Sequence, residues 1–215
     1  MAAKPEAEDL ERQVYGIRVL KPGHPSLRQL KSTNIPTAQG FKFWSATWLL
    51  LHHLQTVRMA PETRVLDVGC GWGFAGIYCA VRHAAQVTAV DIDPRVFPYL
   101  ELHAGLNGVV IETVQSAFDE IDAELLSGRR WMIGADICFR EEMIEPLLGL
   151  IERAIAKGIG DIVITDPGRP AFERLAGRCR DRLGARFDDL VSAEPLVDWP
   201  GTPLPLRGRL LTISA

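Results

Sequence analysis

Residues 65–76 read VLDVGCGWGFAG, and this stretch decides the fold. An apolar run reaches a turn with glycine at 69, 71 and 73, and a helical run follows. Glycine lets the backbone approach a ligand closely, and the first turn of the next helix offers unpaired N–H groups. A dinucleotide fingerprint starting at Gly69 needs glycine at position 74, where Phe74 stands. The pattern is instead Asp67-x-Gly69-x-Gly71-x-Gly73. A carboxylate beside the turn would reject a pyrophosphate and suits a ligand that carries positive charge.

Outward from this turn, short apolar runs alternate with helical ones. Strands are predicted at 64–68, 86–90, 109–113, 130–135 and 161–165, apolar nearly throughout, as strands buried on both faces must be. Between them, Phe74, Ile77, Tyr78 and Val81 repeat at helical spacing, as do Ile144, Leu147, Leu148 and Ile151, and Phe172, Leu175, Ala176 and Cys179. A parallel crossover needs an intervening helix, so this order implies a doubly wound, Rossmann-like α/β sheet with helices on both sides. The tail differs: residues 186–191 and 207–214 are strand-like and joined by a Pro-rich loop, which predicts an antiparallel hairpin closing a mostly parallel, seven-stranded sheet. Residues 43–57 form a helix before this domain's first strand. Residues 1–40, polar at first and then rich in proline and glycine, read as an arm or lid, with residues 41–215 as the domain.

The second strand ends in VTAVDIDP, residues 87–94, which places Asp91 where a carboxylate can accept both hydroxyls of a ribose. The third ends in VQSAF, residues 114–118. There the backbone of Ala117 and Phe118 meets an adenine edge with Phe118 beside the ring, or Phe118 is simply a core residue; the sequence leaves both open. The fourth ends in GADICF, residues 134–139. Ligands bind at the carboxyl ends of such strands, so Asp136 and Phe139 are the catalytic candidates. A carboxylate can take a hydrogen bond from an amine and aim its lone pair, while an aromatic face holds an alkylammonium. The alternative is that Asp136 caps the next turn and Phe139 packs in the core.

The glycine turn with Asp67 resembles motif I of class I S-adenosylmethionine-dependent methyltransferases. Asp136-x-x-Phe139 is similar to the D-x-x-[YF] motif of their lysine-methyltransferase-like group, and it stands where base- and glutamine-modifying relatives carry [ND]-P-P-[YF]. Asp166-Pro167-Gly168-Arg169 resembles a D-P-G-R segment in the branch containing electron-transfer-flavoprotein lysine methyltransferases and their bacterial relatives. Residues 43–46, FWSA, resemble the Trp-containing segment that lies over the cofactor in that group. The resemblance covers residues 43 to 170 and implies S-adenosylmethionine as cofactor, held by Trp44, Asp67, Gly69, Gly71, Gly73, Asp91, Ala117 and Phe118. It implies N-methylation of an amine at Asp136 and Phe139. A protein lysine is the first expectation for the acceptor, a small-molecule amine the second, and a nucleic-acid base the third.

Composition excludes other classes. The 215 residues are 47% hydrophobic and 24% charged, as in an ordinary globular chain. A formal charge of −3 provides no general attraction for nucleic acid or anionic membrane. The four cysteines are scattered without a C-x-x-C pair, and no histidine stands at ligand spacing from them, so no metal site is expected. No apolar run is long enough to span a bilayer, and the acidic N-terminus lacks a signal h-region; the expectation is a cytoplasmic protein. Arg174, Arg178 and Arg182 make a stripe opposite an apolar helix face and read as a solvated surface.

Overall fold

The computed structural model of the protein describes residues 10–37, 40, 44–192 and 205–214. Five strands run parallel: β3 (Arg64–Val68), β4 (Gln86–Asp91), β5 (Glu112–Gln115), β6 (Trp131–Ala135) and β7 (Asp161–Asp166). Antiparallel to β7 lies β9 (Leu206–Ser214), which pairs in turn with β8 (Arg186–Ser192). The order across the sheet is β5-β4-β3-β6-β7-β9-β8, the seven-stranded, mostly parallel sheet with a closing hairpin that the sequence predicts. From β3 the chain winds outward through β4 and β5, then returns to the other side of β3 to make β6. The crevice of a doubly wound sheet opens where the winding reverses, at the carboxyl ends of β3 and β6.

Strand residues alternate between two apolar layers. On one side Val65, Ile133 and Val163 meet Trp48, Leu49 and Leu51 of α2 (Ser45–Leu54), Phe74, Ile77 and Tyr78 of α3 (Phe74–His83), and Tyr99 and Leu100 of α4 (Phe97–Leu106). On the other side Leu66, Met132, Ile162 and Ile164 meet Leu126 of α5 (Ala123–Leu126), Leu147, Leu148 and Ile151 of α6 (Ile144–Ala156), and Phe172 and Leu175 of α7 (Pro170–Leu183). Burial on both faces explains why the strand sequences are continuously apolar.

Two local readings change. The third strand starts at Glu112, three residues later than the apolar run suggests. After α4, Gly108 turns left-handed at φ 68°, and the Val109 N–H closes back on the Ala104 carbonyl at 3.0 Å. That helix end consumes Val109 and leaves Val110 exposed. Within the stretch expected as an arm or lid, β1 (Glu11–Val14) and β2 (Ile17–Leu20) pair as a hairpin through Tyr15 and Gly16, both at positive φ. Val14, Ile17, Val19 and Leu20 then join the first apolar layer, with Leu27 of α1 (Pro25–Thr33).

The arginine stripe of α7 pairs with acids across α6 and the turn before it. Arg174 reaches Glu141, Arg178 reaches Glu145, and Arg182 reaches Glu152 at 2.8 Å.

Candidate functional site

A cavity of about 750 Å³ opens at the carboxyl ends of β3 to β6. Gly69, Gly71, Gly73, Asp91, Ala117, Phe118, Asp136, Phe139 and Trp44 all line it. Asp67 is the one candidate that does not.

The three turn glycines, all at positive φ, have different tasks. A Cβ on Gly69 would lie 2.5 Å from Ile137 Cγ2, and one on Gly73 would lie 2.4 Å from Leu100 Cγ. These two let neighbouring segments close on the turn. A Cβ on Gly71 would meet nothing within 4 Å, so the absent side chain there leaves open space on the cavity wall.

Asp67 lies beneath the turn, 2% exposed, and its Oδ2 accepts the Gly76 N–H at 2.9 Å. Gly73, the N-cap of α3, has no side chain to satisfy the free N–H groups of the first turn. The strand carboxylate supplies that acceptor at the positive end of the helix. Asp67 therefore lies outside the cavity lining and supports the turn from below. Burial pushes its pKa up to about 7, against the pull of the Gly76 N–H, and the Asp91 charge adds to the rise.

Asp91 faces the cavity at the end of β4. Its Oδ2 accepts the Gly71 N–H at 3.0 Å and its Oδ1 the Asp93 N–H at 3.0 Å. Each oxygen keeps a further lone pair for a ligand diol. Burial raises its pKa, and the N–H groups of Asp93 and Gly71 partly restrain the rise. Together, the open face at Gly71 and the diol-ready carboxylate of Asp91 fit a ligand with a ribose.

At the third strand end the backbone of Ala117 is engaged within its own turn. Its N–H donates to Glu120 Oε2 at 3.0 Å, and its carbonyl accepts from Glu120 and Ile121. Phe118 lines the cavity and also packs against the second apolar layer. Asp119, which sequence reasoning passed over, brings a carboxylate to the same wall.

The opposite wall is built after β6. Asp136 has φ 64°, a left-handed conformation rare for a residue other than glycine, and its N–H is fixed on the Thr165 carbonyl at 2.9 Å. Its side chain is 4% exposed and its Oδ1 is paired with the guanidinium of Arg169, which also reaches Asp166 Oδ2 at 3.2 Å. Asp166 is itself held, its Oδ1 accepting the N–H groups of Gly168 and Arg169 at 2.8 and 2.7 Å. Burial pushes the Arg169 pKa down. Phe139 is half-buried, and the guanidinium carbon of Arg140 lies 5.2 Å from its ring centroid, so a cation already sits over one face. The D-P-G-R segment thus supplies the partner of Asp136, a link no local spacing reveals.

The segment before α2 borders the cavity through Thr37 and Gly40. Trp72 Nε1 donates to the Gly40 carbonyl at 2.9 Å, and Thr37 donates through N and Oγ1 to Asp93 Oδ2 at 2.5 and 3.1 Å. Among the described residues, no cluster of three or more His, Cys, Asp or Glu side chains is arranged to hold a metal, and no helix is long and apolar enough to cross a membrane.

Residues 41–124 match the methyltransferase small domain family. An electron transfer flavoprotein beta subunit lysine methyltransferase of Xenopus laevis is 32% identical over 146 residues, which are 62% of this chain and 55% of that protein. A ribosomal protein L11 methyltransferase of Acinetobacter baumannii is 28% identical over 139 residues, 62% of this chain and 44% of that protein. The chain thus spans about half the length of these curated relatives. Among solved structures, a Pyrococcus abyssi tRNA (uracil-54, C5)-methyltransferase in complex with S-adenosyl-L-homocysteine superposes with a TM-score of 0.60 at 16% identity, over 95% of this chain and 44% of that one. The resemblance to class I methyltransferases and the seven-stranded fold read from the sequence are both borne out.

Proposed function

With a methyltransferase small domain over residues 41–124 as premise, we propose that this protein is an S-adenosylmethionine-dependent N-methyltransferase acting on a protein lysine. The observation that carries the reading is one cavity with the glycine turn and Asp91 on one wall and Asp136 with Phe139 on the other. The two relatives named above are called a lysine methyltransferase and a ribosomal-protein methyltransferase, which favours a protein acceptor.

When bound, S-adenosylmethionine supplies a sulfonium methyl, which an amine lone pair takes as the carbon–sulfur electron pair passes to sulfur. Asp91 would hold the ribose hydroxyls, and the open face at Gly71 would give the ligand its approach. Asp67 supports the turn from below through the Gly76 N–H. Phe118 would lie beside the adenine, and Asp119 would accept from its amino group. Asp136, on the cavity wall, would accept an N–H of the amine and turn its lone pair toward the turn. The walls keep water from the reacting atoms, and the proton displaced from nitrogen passes to solvent after transfer.

The test is incubation with methyl-labelled S-adenosylmethionine and fractionated cell extract. Label in protein, recovered as methyl-lysine after hydrolysis, is the expected result. Label confined to small molecules moves the acceptor to a free amine, and label in nucleic acid overturns the lysine assignment.

A further inference from the structure

Asp136, Arg169 and Asp166 form a row in which one guanidinium lies between two buried carboxylates, whose side chains are 4% and 0% exposed. Arg169 is fixed from three directions: by Asp136, by Asp166, and by its own backbone N–H on Asp166 Oδ1 at 2.7 Å. It is 30% exposed and begins α7 as the N-cap residue, so its backbone is anchored by the helix that follows. Among the charged groups on the cavity wall, Asp91, Asp119, Asp136 and Glu142 are acids and Arg140 is a cation. An acceptor amine entering this cavity meets mostly negative charge.

That charge has a cost for catalysis. A lysine amine has a reference pKa of about 10.4 and arrives protonated, and an ammonium has no lone pair. An unpaired Asp136 would bind the ammonium well and hold it in its unreactive form. Binding the ground state tightly lowers rate unless the transition state gains as much. A cation paired with Asp136 weakens the hold of the same carboxylate on a second cation, while a carboxylate oxygen can still accept from a neutral amine.

We infer that Arg169 is a positioning residue that tunes Asp136, turning it from an ammonium trap into an acceptor for the neutral amine. The inference rests on the proposed reading of Asp136 as the amine site. Arg169 itself touches no reacting atom; it acts through Asp136, and Asp166 keeps it in place.

The experiment measures binding of n-butylamine, a lysine side-chain probe that is cationic at pH 7.5, to the full chain saturated with S-adenosylhomocysteine, by NMR titration. Asp136→Asn locates the probe, and n-butanol serves as neutral control. Arg169→Gln, which removes the charge, is expected to bind n-butylamine about tenfold tighter, with n-butanol unchanged. Arg169→Lys, which restores a cation, is expected to return binding toward the wild-type value. Unchanged S-adenosylhomocysteine affinity shows that each variant is folded, and Arg169→Met gives the same readout should the Gln form misfold. Equal or weaker n-butylamine binding by the neutral variants overturns the role of Arg169. Absence of probe binding by the wild type and by every neutral Arg169 variant, or an Asp136→Asn form that binds it as the wild type does, overturns the amine reading beneath it, so the two failures are distinct.

Discussion

The two walls of the cavity hold their carboxylates by different means. On the proposed cofactor wall, Asp91 is fixed by the Gly71 and Asp93 N–H groups at 3.0 Å, and beneath that wall Asp67 is fixed by the Gly76 N–H at 2.9 Å. On the acceptor wall, Asp136 is fixed by a side chain, the guanidinium of Arg169, which stands 33 positions later in the chain. Backbone bonds are made by the turn itself, so one wall is a local structure and the other is assembled across the sheet. The cofactor wall should therefore be sensitive to backbone changes and the acceptor wall to charge changes.

The sharpest test of the first half uses one substitution at two glycines. Asparagine tolerates the left-handed backbone, so Gly71→Asn and Gly73→Asn differ mainly in what the new side chain meets. Gly71→Asn should fold normally and lose about a hundredfold or more in S-adenosylmethionine affinity, because it fills the cavity wall. Gly73→Asn should lose about 1–3 kcal/mol of folding stability through its clash with Leu100. Titration calorimetry and denaturant melts separate the two, and the reverse pattern would break the division of tasks. Next in size, Asp91→Ala should weaken cofactor binding by about 1.5–3 kcal/mol in a folded protein, read by the same calorimetry.

How much of this was legible in the sequence follows the same division. The alternation of strands and helices, the antiparallel hairpin and the turn are readable because they depend on periodicity and on glycines two residues apart. Asp91 was readable because it ends a strand. The Arg169 bond to Asp136 was not, since it depends on β6 and β7 lying side by side with their ends in register. The place of Asp67 is hidden for a related reason: in one dimension it borders the turn, and only the pleat shows that it points beneath it, toward Gly76. The β1–β2 hairpin went unread because two four-residue strands around Tyr15-Gly16 carry little periodic signal, and their stability comes from packing on α3 and α4.

A smaller effect separates the buried titratable groups of the first apolar layer from those of the turn. His103 stacks with Trp72 at a centroid distance of 5.9 Å, and burial lowers its pKa to about 4, with the Tyr99 carbonyl opposing and His24 adding. Its stabilising contribution is complete above its unfolded pKa of about 6.5 and is lost as pH falls toward 4. Asp67 acts oppositely: its pKa is raised from 3.8 to about 7, so its contribution is present below 3.8 and is lost as pH rises to 7. In urea melts from pH 4 to 7, Asp67→Asn should make the protein lose stability toward acid more steeply than wild type. His103→Gln should make it lose stability toward neutral pH. Parallel curves for all three proteins would contradict both assignments. The smallest effect belongs to the arginine stripe, where Arg178→Ala should change stability by no more than about 1 kcal/mol, because its bond to Glu145 is exposed.

The most direct measurement of the whole account compares Asp136→Ala with the wild type in two assays, S-adenosylhomocysteine affinity by calorimetry and methyl transfer to the acceptor protein identified by labelling. The two walls act separately, so affinity should stay within about twofold, while transfer should fall by about a hundredfold or more. An Asp136→Ala protein that transfers methyl at the wild-type rate, or that loses the cofactor along with its activity, would contradict the account.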